Sequence, residues 1–158
     1  METIDRSGRR RRALRAVALA VAGWLAAAGV AGAAENADIS GRWMVEKEDA
    51  IIVIEPRGSG LAGRVDWAKD RDGIPGHERL DTKNPSPELR TRKVLGLDIL
   101  TGLPAAPDDE GWYRRGRIYN PKTGKSYPVR VKRESSDRLR LRVGGSVVGQ
   151  TTYWTRVD

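Results

Sequence analysis

Residues 119–143 read YNPKTGKSYPVRVKRESSDRLRLRV, and this stretch decides the fold. Apolar and polar residues alternate on both sides of the Glu134–Asp137 turn, with the period of a half-buried β-strand. An earlier turn, Asn120–Lys125, has the proline and glycine content of a hairpin connection. Two successive hairpin signals predict antiparallel β-structure.

The tripeptide Gly124-Lys125-Ser126 inside this stretch is similar to the end of a phosphate-binding loop. Such a loop needs a glycine five residues before Gly124, and Tyr119 stands there. No helical pattern follows Ser126 to supply the N-terminal dipole that binds phosphate. We therefore interpret Gly124 as a hairpin turn residue and predict no phosphate role for Lys125.

The same alternation recurs along the chain, and no long window has apolar residues at helical spacing. Eight strands in sequence predict an all-β fold, an up-and-down barrel of about eight antiparallel strands formed by residues 34–158 as one domain. The predicted strands are Gly41–Lys47, Ala50–Glu55, Leu61–Ala68, Val94–Thr101, Gly111–Asn120, Ser126–Arg133, Arg138–Val143 and Val147–Val157.

One connection, Lys69–Lys93, is much longer than the others. Prolines 85 and 87 forbid a strand ladder there, and Ser86–Leu89 predicts one short helical turn capped by the serine. Loops of this length in compact domains are often lids or binding loops. With Leu80, Leu89 and Val94 as apolar anchors, we expect an ordered cover over one barrel mouth.

The first 33 residues have the organisation of a signal peptide. Six arginines precede an uncharged apolar run over residues 16–30, and Ala31-Gly32-Ala33 offers the small residues of a cleavage site. We expect cleavage after Ala33 and export, with the periplasm as the destination. An uncleaved anchor is the alternative, and the loose twin-arginine pattern of residues 10–15 leaves the export route open.

Composition limits the chemistry that this chain can perform. There is no cysteine, which excludes disulfides, thiolate metal sites and a cysteine nucleophile. The single histidine, His77, lies in a glycine-flanked loop that supports a general base poorly. Asp70-x-Asp72-Gly73 lacks the remaining ligands of a calcium loop, and Asp108–Glu110 resembles a solvated loop tip. We predict no catalytic site, metal or cofactor.

Some aromatic residues alternate in step with aliphatic residues of the same strand and should face the same side. They suggest a cavity inside the barrel. Trp67 shares the parity of Leu61 and Val65, and Tyr127 shares that of Val129. An eight-stranded barrel is either filled by its own side chains or holds one small ligand, and both alternatives stay open. The candidate cavity residues are Trp67, Trp112, Tyr127 and Leu97.

Cations gather on the strands of the opening stretch. The first 33 residues contribute +4 of the formal +8, so residues 34–158 carry +4. Seven cations are predicted to share one outer surface, which we call the basic face: Arg115, Arg117, Arg130, Lys132, Arg138, Arg140 and Arg142. The basic face is either a solvated surface or a docking site for anionic lipid or an envelope polymer. Because we expect export, we predict no nucleic-acid partner, and we expect a monomer or weak dimer.

Several motifs together resemble a family of small exported bacterial proteins of unknown function with a lipocalin-like barrel. They comprise Gly41-Arg42-Trp43, Gly60–Val65 before Trp67, Asn84–Arg92 running into Leu95–Leu100, Trp112 with Gly116–Tyr127, Gly149-Gln150-Thr151 and Trp154–Val157. Asn120, Lys93 and Gln150 depart from the family pattern.

The resemblance has implications for two sets of residues. It implies that Arg156 lies across the Trp43 indole and closes one end of the barrel. It also marks Asn84, Pro85, Leu89 and Arg90 as the motif of the covering loop. The family has no assigned activity, so two functions remain: a non-enzymatic binding protein with a ligand cavity, or an interaction protein with a filled barrel that acts through the basic face.

Overall fold

A computed structural model describes residues 38–145 and 147–158, and these residues form a closed barrel of eight antiparallel strands in sequential order. The predicted signal peptide lies outside the described residues. The strands are β1 (Gly41–Met44), β2 (Ala50–Arg57), β3 (Gly60–Ala68), β4 (Asp98–Pro104), β5 (Trp112–Asn120), β6 (Lys125–Ser135), β7 (Arg138–Gly144) and β8 (Gly149–Val157).

The predicted fold class is therefore confirmed, and the barrel closes through β1 and β8. Up-and-down order places the β1–β2, β3–β4, β5–β6 and β7–β8 connections at one end, which we call the mouth end. The remaining connections and the start of β1 lie at the opposite, closed end. Inward side chains of all eight strands fill the core, including Trp43, Ile52, Leu100, Val131 and Leu141.

The fourth strand begins later than predicted, at Asp98 instead of Val94. Gly96 has a φ of 81°, and the Leu97 amide donates to the Val94 carbonyl at 3.1 Å, so the chain turns before it extends. The last strand likewise begins at Gly149 instead of Val147. Both shifts lengthen connections at the mouth end.

Two β-bulges change which side chains face the core. Between β2 and β3, Ile51 pairs with Trp67 and Ile52 pairs with Val65, which leaves Asp66 as an extra residue. Between β5 and β6, the register shifts between Tyr113 and Gly116. Each bulge reverses or offsets the alternation of its strand.

The long connection contains two 3₁₀ turns, Gly76–Glu78 and Pro87–Leu89. The second is the helical turn that the sequence predicts. Ser86 precedes it, but the serine side chain makes no capping hydrogen bond. The predicted serine cap is therefore wrong, although the proline stands at the start of the turn as expected.

Candidate functional site: a cavity at the mouth end

A cavity of about 290 Å³ opens inside the barrel at the mouth end. Trp154, which is almost fully buried, and Ile52 form its innermost wall. Its apolar walls come from β2, β3, β4, β5 and β7 and from the long connection: Ala50, Val65, Ala68, Ile99, Ile118, Val143 and Val94. The barrel is thus filled at the closed end and hollow at the mouth end.

Polar residues surround the apolar cavity where it meets solvent. Asp49 pairs with both Lys122 and Arg71, and the Thr152 hydroxyl donates to Glu46 at 2.7 Å. Lys47 also lines the opening, and no ion pair involves it within the described ranges. An apolar interior beneath a polar rim suits a molecule with an apolar body and a polar end.

The long connection is fastened to the barrel through a buried carboxylate. Asp81 is 0% exposed and accepts hydrogen bonds from the Tyr119 hydroxyl at 2.6 Å, from Asn84 Nδ2 at 2.8 Å and from two Arg92 nitrogens at 2.9 and 3.0 Å. We call Asp81, Asn84, Arg92 and Tyr119 the loop clamp. A buried carboxylate is stable only when such donors surround it.

The loop clamp changes the chemistry of Tyr119, which also lines the cavity. Desolvation raises the pKa of the Tyr119 phenol above its ordinary value of 10.0, and the hydrogen bond to Asp81 and the negative charge of that carboxylate raise it further. The phenol therefore remains a protonated donor at neutral pH.

Gly124 forms a second contact between the β5–β6 turn and the long connection. Its φ is 69°, and its amide donates to the Asn120 carbonyl at 2.8 Å. A Cβ at this position would collide with the Lys83 carbonyl oxygen. Strand β6 follows the turn directly, so the hairpin interpretation of this sequence is confirmed.

The covering loop contributes to the cavity through one of the three apolar anchors that the sequence suggests. Val94 is buried and lines the cavity together with Arg79. Leu80 and Leu89, in contrast, are exposed. Their prediction as anchors is wrong, because the polar loop clamp holds the segment instead.

The remaining residues of the covering-loop motif have local roles. The Asn84 side-chain oxygen accepts the Ser86 amide at 2.9 Å, and the Asn84 carbonyl accepts Arg90 Nε at 2.8 Å. Pro85 is exposed and follows Asn84 without reaching the cavity. These contacts fix the bend of the loop beside the clamp.

None of the four predicted cavity residues is among the side chains that line the cavity. Trp67 is 41% exposed, because the bulge at Asp66 turns it outward and brings Ala68 inward. Trp112 lies on the outer side of β5, where it pairs with Lys132. The prediction that these two tryptophans line a cavity is therefore wrong.

Tyr127 and Leu97 do not line the cavity either. Tyr127 is half-buried and pairs with Ile118. Leu97 is half-buried against the core, and its carbonyl accepts the Val65 amide at 3.0 Å. The lining residues that sequence reasoning missed include Trp154, Ile118 and Tyr119, and all three belong to quoted motifs.

At the closed end, the structure brings Trp43 and Arg156 together as cross-strand neighbours of β1 and β8. Trp43 is fully buried, and its indole nitrogen donates to the Ile39 carbonyl at 2.9 Å. Gly41 has a φ of 132°, and a Cβ there would collide with the Arg156 guanidinium. The Gly-x-Trp motif therefore makes room for the arginine.

The basic face divides into a paired part and an unpaired part. Arg138 and Arg140 both contact Glu134 at 3.6 Å, and Lys132 donates to the Glu110 carbonyl at 2.7 Å. Trp112 packs beneath three cations of the face, at ring-centroid distances of 4.7, 5.6 and 5.9 Å: Arg130, Arg140 and Lys132. The other members are Arg115 and Arg117, both exposed, and Arg142, which is half-exposed.

His77 is exposed, and its nearest carboxylate is Glu78 at 3.6 Å. Within residues 38–145 and 147–158, no group of three or more histidine, aspartate or glutamate side chains is arranged to hold a metal ion. Over the same part of the chain, no helix is long and apolar enough to cross a membrane.

Comparison with known proteins places this barrel in a family. Residues 41–156 match the model of DUF2147, described as uncharacterised proteins conserved in bacteria. The chain belongs to the DUF2147 family. No curated protein sequence matches the chain significantly.

A solved structure is also similar to this DUF2147 chain. It is protein HP1028 from the human pathogen Helicobacter pylori, described as a member of the lipocalin family. The two share 23% sequence identity with a TM-score of 0.64, over 77% of this chain and 84% of HP1028. This likeness extends to the lipocalin-like fold.

Proposed function

We propose that this protein is a non-enzymatic binding protein of the bacterial envelope that holds one small apolar or amphipathic molecule in its mouth-end cavity. The observation that carries the proposal is the cavity itself, about 290 Å³ of space with apolar walls and a polar rim. Specific ligand pockets begin at about this size and have this distribution of polarity. Closed eight-stranded barrels with such an interior are suited to one small ligand.

The lipocalin-like fold favours binding over reaction. His77 is exposed, and the buried Asp81 is fully occupied by structural donors. The envelope location rests on the leader-like residues 1–33. Amino-terminal sequencing of the exported chain tests it, with Ala34 expected as the first residue.

Titration with the uncharged fluorescent probe N-phenyl-1-naphthylamine tests the cavity. Ala50 lines the cavity, so Ala50→Trp should fill it and abolish the fluorescence enhancement. Ala105 is exposed at the closed end, and Ala105→Trp is the matched control. Equal probe affinity in both variants, with native stability, would contradict the proposal.

A second candidate function concerns the basic face. Arg130 and Arg142 stand directly opposite each other on β6 and β7, and like charges in that position cost stability unless an anion joins them. This observation favours docking of an anionic lipid or envelope polymer beside the cavity. The alternative that the sequence leaves open combines the basic face with a filled barrel, and the mouth-end cavity contradicts a filled barrel.

The dependence of binding on ionic strength distinguishes the two candidate functions. Binding to the basic face should weaken steeply above an ionic strength of about 0.15 M, where the Debye length is about 8 Å, whereas binding of an uncharged probe should not. Co-sedimentation of the wild type with anionic and zwitterionic vesicles measures binding to the basic face. Equal binding to both vesicle types would exclude electrostatic docking.

A further inference from the structure

Two valines occupy the tip of the β7–β8 turn. Val147 is 93% exposed and Val148 is 84% exposed, just beyond the pair formed by Gly144 and Gly149. Hairpin tips are normally built from glycine, asparagine, aspartate and other polar residues. Two adjacent aliphatic side chains held in water therefore indicate a surface that meets an apolar medium.

The other exposed large apolar side chains in the described ranges lie at the same end of the barrel. One is Trp67, at the end of β3, and the rest are in the connection between β3 and β4: Ile74, Leu80, Leu89 and Leu95. The exposed large apolar side chains of the described residues thus lie at the mouth end, where the cavity opens.

A basic groove of about 360 Å³ lies next to the valine tip, between β5, β6 and the end of β7. Gly144 and Gly145 of the turn line one side of it. Besides Gly116, Pro128 and Val129, the remaining lining consists of four arginines and no carboxylate: Arg114, Arg115, Arg130 and Arg142. The groove is therefore rich in arginine and begins where the apolar tip ends.

Three of the four arginines have no carboxylate partner within the described residues. Arg114 pairs with Asp108 and Glu110, whereas no ion pair involves Arg115, Arg130 or Arg142. Arg115 also has a φ of 67°, a conformation that costs energy for any residue other than glycine. Phosphate oxygens are well-matched acceptors for such guanidinium groups.

We propose that the mouth end docks on an anionic phospholipid bilayer, with Val147 and Val148 inserted at the acyl boundary and Arg115, Arg130 and Arg142 bound to lipid phosphates. In a bilayer, the phosphate groups lie next to the hydrocarbon. The arginines of the groove lie next to the valines of the tip in the same order. A soluble polyanion would match the groove alone. This inference deepens the second candidate function and does not depend on a ligand in the cavity.

Docking in this orientation would turn the cavity opening toward the membrane. An amphipathic molecule leaving the bilayer would then reach the apolar walls without crossing water. The geometry links the two proposed functions, although each is measured separately.

A label at the tip tests insertion directly. The chain has no cysteine, so Val148→Cys in the chain from residue 34 takes a single nitrobenzoxadiazole label. With phosphatidylglycerol-containing vesicles, its emission should shift to the blue and increase. Ala105→Cys, labelled in the same way at the closed end, should show neither change.

Two sets of variants then measure separately how much the valine tip and the basic groove contribute to vesicle binding. Val147→Ser should weaken vesicle binding about fivefold through lost acyl contact. Arg130→Gln/Arg142→Gln should weaken binding to anionic vesicles about tenfold. Arg42→Gln/Arg57→Gln removes equal charge at the closed end, outside the basic face, and should have little effect.

The outcomes distinguish this inference from the proposed functions. Co-sedimentation without a shift from the Val148→Cys label would overturn insertion and leave electrostatic docking intact. Equal losses in the groove variant and the closed-end variant would overturn the groove assignment. No binding of the wild type to anionic vesicles would overturn both, while probe binding in the cavity would stand by itself.

Discussion

The guanidinium carbon of Arg156 lies 4.4 Å from the centroid of the Trp43 indole, and this contact joins the last strand of the barrel to the first. Arg156 also donates to the Ser136 carbonyl at 2.9 Å and to the Ser40 carbonyl at 3.3 Å. One side chain thereby ties together β1, β8 and the β6–β7 turn at the closed end.

Arg156→Ala should lower the free energy of unfolding by about 1–3 kcal/mol, since it removes a cation–π contact and two hydrogen bonds. Affinity for the cavity probe should not change, because the cavity lies at the other end. Thr155→Ala, at the exposed neighbour on β8, is the control. Chemical denaturation that gives equal stabilities for the wild type and Arg156→Ala would contradict this role.

Gly124→Ala should destabilise the fold by about 2 kcal/mol, because the residue has positive φ and its Cβ would press on the long connection. Lys125→Ala, at the next residue, should have almost no effect because that side chain is exposed. Thermal and chemical denaturation measure both. If the two substitutions cost the same, the contact between the turn and the connection is not important for stability.

Asp81→Ala should release the long connection, because one buried carboxylate accepts hydrogen bonds from three residues. We expect a loss of about 2–3 kcal/mol, moderated because Arg92 is partly exposed. Trypsin should cleave Asp81→Ala faster at Lys83 and Arg90. Glu88→Ala, in the same connection, is the control, and equal cleavage rates in the two variants would exclude the loop clamp as the anchor.

The loop clamp also predicts a pH dependence. The folded state raises the pKa of Tyr119, so this residue contributes stability that is present below its ordinary pKa and is lost as pH rises through the raised value. At about pH 8 the wild type should be more stable than Tyr119→Phe by about 1 kcal/mol. The difference should shrink above about pH 10.

Tyr113 provides the internal reference for that measurement. Desolvation raises the pKa of Tyr113 as well, but this residue is present in both proteins and its contribution cancels in the difference. A difference between the wild type and Tyr119→Phe that stays constant through the alkaline range would show that the Tyr119 proton is not linked to folding.

Strand order was predictable because alternation and turn chemistry are local properties. Val129, Val131, Leu139 and Leu141 alternate with cations, and all four are buried in the core. The two tryptophans were placed on the wrong face because a bulge depends on the partner strand, and one extra residue at Asp66 reverses the parity of Trp67. No pattern within β3 alone records that shift.

The cavity and the loop clamp were harder to predict from the sequence than the strands. Asp81 contacts Tyr119 across 38 positions, and nothing in its own neighbourhood distinguishes it from a solvated loop aspartate. Cavity volume depends on how side chains from many strands fill one space, which composition does not determine. The motifs around Tyr119 and Trp154 marked important segments without indicating that both residues line one cavity.

We expect a small apolar molecule to bind inside the barrel at the mouth end. The most direct measurement is intermolecular nuclear Overhauser contact between N-phenyl-1-naphthylamine and the methyl groups of the protein. We expect contacts to Ile52, Val65, Ile118 and Val143 and none to Leu61 or Leu103, which lie toward the closed end. Contacts confined to exposed methyl groups such as those of Leu89 and Val148, or no contacts at all, would contradict the account.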